Sequence, residues 1–339
     1  MTESVLPTVA ITMGDPAGVG AEVIAGALAH PSVYDACRPL VIGDRRVMEN
    51  AIRAMGTRAT LVGPDELATP SAFPLMDLAN VDLNVARPGR VSADAGRAAW
   101  EYIQTSVRLA RDGWVQAVAT APINKEAIKL AGIPFPGHTE MFGHLTGCDK
   151  YTMMLVDGDM RVAHVSTHVS LRRACDLVRR ERVLEVIRLL HGAVSKLGIP
   201  EPHIAVAGLN PHCGEGGLFG QEEAEEILPA VADARALGIR AEGPIPPDTV
   251  FAKAFGGSYD GVVAMYHDQG HIPMKSRGFK FDSTGRLVEI SGVNVTLGLP
   301  IVRTSVEHGT AFDQAGKGSA NPESMRQAIL LAAAMGGSR

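Results

Sequence analysis

The chain is predicted to be an α/β protein of two domains. Short β-branched runs alternate with longer helical patterns along its whole length, the mark of a largely parallel sheet with crossover helices. Its 339 residues also exceed the ~150 of a typical single domain. Finally, 46% of them are hydrophobic, enough to bury large cores. In order, residues 9–13 read as a buried strand, broken by Gly14, Pro16, Gly18 and Gly20, with a helix following to about residue 29. Residues 95–110 are helical because Trp100, Ile103, Val107 and Ala110 fall on one stripe. Residues 115–120 form the next strand, and 124–130 begin another helix. Residues 151–168 form a hairpin, since Asp157-Gly158 separates two apolar runs. An amphipathic helix over 182–197, a strand over 204–208, a helix over 222–237 and a buried strand over 261–266 complete the alternation. Pro322 suits the first turn of a final helix to about residue 335. The domains are expected at 1–124 plus 295–339 and at 125–294.

Net charge is −5 and the isoelectric point about 6.1, with no block of like charge. That argues against nucleic acid or an anionic membrane as partner, so an anionic substrate needs local basic residues. Cys37, Cys148, Cys175 and Cys213 lack paired spacing and read as reduced thiols. MTESVLPTVAITM is no signal peptide, and no run of about 18 apolar residues exists, so a cytoplasmic protein is expected.

Four segments could carry chemistry. In GDPAGVGAE (14–22), a Gly-rich turn between strand and helix brings backbone close to a phosphate, or is simply a tight turn. Gly18 and Gly20 match only part of a dinucleotide fingerprint. The second feature is a histidine set. His168 and His267 are placed at strand ends, and His212 follows a strand. In an open α/β sheet such positions can converge, and three neutral imidazoles with open positions suit a Lewis-acidic divalent ion. Singly, each reads as an ordinary surface or core histidine, and separations of 44 and 55 residues match no ligand spacing. His267 and His271 are four apart, but Gly270 and Pro273 argue against a continuous helix there. Third, His138, Thr139, Lys275, Asn294 and Arg303 form a polar set suited to an anion. Fourth, HGTAFDQAGKGSANP (308–322) places Asp313 in a loop where a carboxylate can hold ribose hydroxyls and repel a 2′-phosphate, or it is an ordinary capping loop.

Together, ITMGDPAGVGAEV, TAPINKEA, PGHTE, GLNPHCGEGG, AMYHDQG and GVNVTLGLPIVRTSVEHGTA resemble the 4-hydroxythreonine-4-phosphate dehydrogenase family over nearly the whole chain. The 308–322 loop also resembles the adenosine-binding loop of isopropylmalate dehydrogenases. The resemblance implies an isopropylmalate dehydrogenase-like fold, two α/β/α domains with a cleft between them. It implies that His168, His212 and His267 bind one divalent ion (zinc, magnesium, manganese or cobalt). His138, Thr139, Asp248, Lys275, Asn294 and Arg303 would bind substrate, with Asp268 nearby, and His308, Asp313 and Asn321 would bind NAD. A homodimer with the metal site completed across its interface is implied as well.

The implied reaction is NAD-dependent oxidation and decarboxylation of a 4-phosphorylated 3-hydroxy acid, with Asp268 and Lys275 as candidates for proton transfer. KFDSTGRLVEIS (280–291) departs from the pyridoxine-biosynthetic enzymes by about ten extra residues, and HDQGHIPMK and GPIPPDTVF look more like the branch acting on 4-phospho-D-threonate or 4-phospho-D-erythronate. Two other classes stay open: a metal-dependent phosphoester hydrolase, and a non-catalytic module binding a sugar-acid phosphate.

Overall fold

The structure, a computed structural model, describes residues 6–285 and 287–337. Its residues fall into two compact units: Met1–Asp149 with Glu289–Val293 and Leu299–Arg339, and Lys150–Val288 with Asn294–Gly298.

The first unit is built on parallel strands in the order Thr60–Val62, Ala72–Asp77, Arg38–Gly43, Thr8–Thr12, Ala117–Thr120 and Val302–Val306. The central strand has Val9, Ala10 and Ile11 fully buried, as the unbroken apolar run required. Val9 pairs with Pro39 on one side and Ala117 on the other. Of the stripe expected on the Ala93–Arg111 helix, Ile103, Val107 and Ala110 are buried, while Trp100 is half-buried and stacks at 5.5 Å on Phe135. Ser92 caps this helix through the Ala95 N–H. At Gly96 a Cβ would lie 2.1 Å from Ala127 O, so this glycine lets the helix touch the Lys125–Leu130 helix.

The second unit opens with the expected hairpin, Thr152–Asp157 antiparallel to Met160–His164 with Asp157 opposite Met160. Gly261–Ala264, Ile204–Ala207 and Ala241–Ile245 follow in that order as parallel strands. Val162, Ala205, Val262 and Ala264 centre its core. The helix expected over 222–237 is a wide π turn, Glu223–Ile227, running into Leu228–Ala236. Pro229, at the junction, has no N–H and would crowd Glu225 O in a regular helix, and a wider turn relieves that crowding.

One expectation is corrected. Gly270 and Pro273 do not stop the chain being helical: His267–Gly278 is one helix with Pro273 inside it. Gln269, Gly270, His271 and Met274 are buried on its inner face, so packing outweighs the bond lost at proline. Phe279–Phe281 and Leu287–Ile290 then form a two-stranded sheet from the extra segment, whose Arg286 lies outside the described residues. Among the described residues no helix is long and apolar enough to cross a membrane.

Candidate active site

In the second unit the strand exits carry the histidines. His168 is exposed, four residues beyond Met160–His164, and His267 opens the helix after Gly261–Ala264. Their ring centroids are 5.6 Å apart. Two imidazoles on one divalent ion, each nitrogen ~2.1 Å from it, would have centroids roughly 5 Å apart, so the pair suits a shared cation. His267 Nδ1 lies 2.7 Å from Asp268 Oδ1, and that hydrogen bond holds the carboxyl below its ordinary range. With Nδ1 donating to the carboxylate, Nε2 carries the lone pair, the arrangement in which an outer carboxylate orients a metal-binding histidine. His271, one turn on, stacks on His267 with centroids 3.7 Å apart and planes 10° from parallel. Its Nδ1–H donates to His267 O at 3.0 Å. Behind it, the His164 ring is 4.8 Å away. Burial pushes His271 down to about 4 and His164 to about 3, so both rings are neutral at physiological pH.

His212 sits at the exit of Ile204–Ala207, the neighbour of Gly261–Ala264. From His212 to Gly217 every φ is positive, including 52° at His212, 56° at Cys213 and 44° at Glu215. Such a left-handed run is costly for residues with a Cβ and needs outside support. The chain leading into it is held by Glu223, which is 4% exposed. Its Oε1 accepts the N–H groups of Leu209 (2.8 Å) and Asn210 (2.6 Å), and its Oε2 accepts Asn210 Nδ2 at 2.9 Å. Gln269 ties the two strand exits together, donating Nε2 to Gly208 O at 2.8 Å and accepting the Met265 N–H at 2.7 Å. Among the described residues no group of three His, Cys, Asp or Glu side chains is placed to hold a metal ion. The expected triad is therefore only partly assembled. His168 and His267 meet, while the left-handed turn leaves His212 exposed at the adjacent strand end.

Asp248 is exposed in the first turn of the Pro247–Phe255 helix. Burial, then Glu223 and Asp248, push the Cys213 thiol up to about 11, which keeps it protonated. Lys275 is exposed on the His267–Gly278 helix, 5.8 Å from the Phe279 ring. Asn294, half-buried in Val293–Leu297, has a buried Oδ1 with no hydrogen-bond partner among the described residues.

The first unit gathers the anion candidates around Phe142. Arg303 is 3% exposed, donates Nη2 to Thr120 Oγ1 at 2.7 Å, and lies 5.6 Å over the Phe142 ring. Burial pushes its pKa down to about 9, against the pull of Glu140, so it is still a cation at neutral pH. His138 starts the His138–Thr146 helix with Thr139 beside it, its ring 6.4 Å from Phe142. Burial and Arg303 hold it neutral, and its buried Nε2 meets no partner among the described residues. A buried guanidinium beside a helix N-terminus forms an anion-attracting corner.

The 308–322 loop lies on the turn after the first strand. The Val19 N–H donates to Thr310 O at 3.0 Å. A Cβ on Gly18 would come within 2.9 Å of Thr310 O, so Gly18 serves loop packing. His308 is held neutral by burial, its Nδ1 on Gly309 O at 2.9 Å. Asp313 is exposed, and Asn321 Oδ1 caps the last helix through the Glu323 N–H at 2.9 Å. Gln269, Glu223 and His271 were not singled out from sequence as site residues. Two of them act through distant backbone amides or carbonyls, and the third became legible only once Pro273 proved helical.

The family model described as "Pyridoxal phosphate biosynthetic protein PdxA" matches residues 35–332. A candidate D-threonate 4-phosphate dehydrogenase of Bradyrhizobium diazoefficiens is 49% identical, with 94% of each chain covered. The 4-hydroxythreonine-4-phosphate dehydrogenase of Trichlorobacter lovleyi is 45% identical, with 98% of each covered. A crystal structure of a 4-hydroxythreonine-4-phosphate dehydrogenase from Burkholderia phymatum matches at TM-score 0.85 and 45% identity, over 97% of this chain and 98% of that one.

Proposed function

The chain belongs to the PdxA family, and from that premise we propose that it oxidises and decarboxylates a 4-phosphorylated 3-hydroxy four-carbon acid. D-threonate 4-phosphate and its erythronate epimer stand ahead of 4-hydroxythreonine 4-phosphate in this reading, given the 49% identity to a candidate of that activity and the extra 280–291 segment. The observation that carries the reading is the His168–His267 pair, 5.6 Å apart with Asp268 on His267 Nδ1.

His168, His212 and His267 would hold a divalent ion, and His308, Asp313 and Asn321 would hold NAD. Bound there, the ion and NAD supply the Lewis acid and the hydride acceptor that an oxidative decarboxylation requires. Asp268 fixes the tautomer of His267. Lys275 is the group proposed to move the substrate hydroxyl proton. Arg303, His138 and Thr139 bind an anionic end of the substrate, and Asn294 Oδ1 accepts from a substrate hydroxyl or ammonium. Asp248 belongs to the same substrate set. A homodimer is part of the proposal: the exposed Leu171, Leu218 and Ile272 follow the three histidines within six residues, and large exposed apolar side chains near a site suit an interface.

Absorbance at 340 nm tests this reading, with NAD, a divalent ion and each of the three phosphorylated acids in turn. NADH is expected with at least one acid, fastest with D-threonate 4-phosphate or D-erythronate 4-phosphate, and only with a divalent ion present. Release of inorganic phosphate without NADH formation would replace the dehydrogenase reading with the hydrolase.

A further inference from the structure

One buried charge beside the 308–322 loop has no part in the roles above. Glu22 lies in the first turn of the Gly20–Leu28 helix and is 3% exposed. Its oxygens each take one backbone N–H from the loop: Oε1 from Gly316 at 2.5 Å, and Oε2 from Gly318 at 2.8 Å. Burying a carboxylate is costly unless donors replace its water. Here the donors come from residues 294 and 296 positions away in sequence, and the helix N-terminus favours the charge from the other side. With both oxygens engaged and its surface covered, Glu22 is poorly placed to be a direct ligand of anything in solution.

What it holds is the middle of the loop. Gly316 lies three residues after Asp313, and Gly318 three residues before Asn321. The other anchors are nearer the ends, with the Val19 N–H on Thr310 O and Asn321 Oδ1 on the Glu323 N–H. Without Glu22, the segment between Asp313 and Asn321 would lose the two acceptors that tie it to the first helix and keep internal bonds such as Ser319 Oγ to Gln314 Oε1. We propose that Glu22 is a positioning residue for the cofactor: it holds the loop in its binding conformation before NAD arrives, so that ordering costs less on binding. This inference rests on the assignment of the loop to NAD.

Glu22→Gln keeps the shape but sets an NH2 donor against one of the loop N–H groups. Two readouts are needed. Hydrogen exchange at the Gly316 and Gly318 amides, in protein without cofactor, reads the clamp alone. NAD affinity by titration, with the separate KM values for NAD and substrate, reads its consequence. In the wild type both amides are expected to be protected without NAD. In the variant they exchange at least tenfold faster, and the Kd and KM for NAD rise about tenfold to a hundredfold, the usual effect of losing a hydrogen bond to a charged group. Substrate KM and kcat stay within about twofold. Unprotected amides in the wild type overturn the clamp whether or not the variant folds, as does unchanged exchange in the variant. Loss of kcat and both KM values together would show a merely structural role and overturn the proposal too. Faster exchange with unchanged NAD affinity overturns the positioning role, whereas NAD affinity unchanged in Asp313→Ala as well overturns the assignment of the loop to NAD, so the two failures are distinguishable.

Discussion

His164 is fully buried, with Nδ1 3.2 Å from Met153 O and its Nε2 against Gly270, where a Cβ would lie 2.3 Å away. Its imidazolium would have to form in a dry site next to His271, and this burial depresses the folded-state pKa to about 3. A depressed histidine contributes stability in full above its unfolded pKa of about 6.5 and loses it as pH falls toward the folded value, because the unfolded chain then binds the proton and the native one does not. His271, at about 4, acts in the same direction. Asp15, raised by burial to about 6, acts oppositely: as pH falls through 6 the folded state takes up the proton first. Comparison of wild type with His164→Asn isolates one group from the rest. Between pH 7.5 and 5 the wild type is expected to lose more unfolding free energy than the variant in urea titrations, and parallel pH profiles would rule out a neutral buried His164. Histidines, Arg303 and Asp313 were legible as residues because their types carry chemistry. Glu22, Glu223 and Gln269 were not, since their partners are backbone groups, which leave no mark in sequence.

At the level of elements, periodicity located strands and helices, but local propensity misjudged one place and was silent at another. A proline inside His267–Gly278 reads as a stop because it removes one hydrogen bond, yet the buried face of that helix outweighs the loss. The left-handed run at 212–217 left no mark in sequence, and the buried Glu223 carboxylate holds the two residues, Leu209 and Asn210, that lead into it. Gly96 gives a test in which propensity and packing have opposite signs. Alanine is a better helix former by ~1 kcal/mol. Its Cβ, however, would stand 2.1 Å from Ala127 O, backbone that cannot swing aside. Gly96→Ala is therefore expected to destabilise the protein, by about 1–3 kcal/mol in urea unfolding. A variant as stable as wild type would mean the two helices do not approach so closely.

On the scale of the molecule, the apolar residues left outside the cores bear on assembly. Leu171 is 62% exposed, Leu218 73% and Ile272 63%, all in the unit that carries the three histidines. Water contact of that kind is costly in a monomer and is relieved by covering the surface. Sedimentation equilibrium is expected to give twice the 35.7 kDa chain mass. Leu218→Glu should shift the protein toward the monomer and, on the proposal that a second copy completes the metal site, lower divalent-ion affinity as well. A wild type that sediments as a monomer at assay concentrations would remove the dimer from the proposal.

The α/β class, most of the elements and the family follow from the sequence by itself, because apolar periodicity is set by local geometry and long motifs are read without a fold. What the tertiary structure alone decided was which distant groups meet. Neighbouring strand exits bring His168 to His267 and leave His212 exposed at the exit of the next strand, and the Glu22 carboxylate is buried against amides from the other end of the chain. Such contacts depend on strand order and on burial, where unpaired charge is expensive, and neither is written in the spacing of residues along the chain.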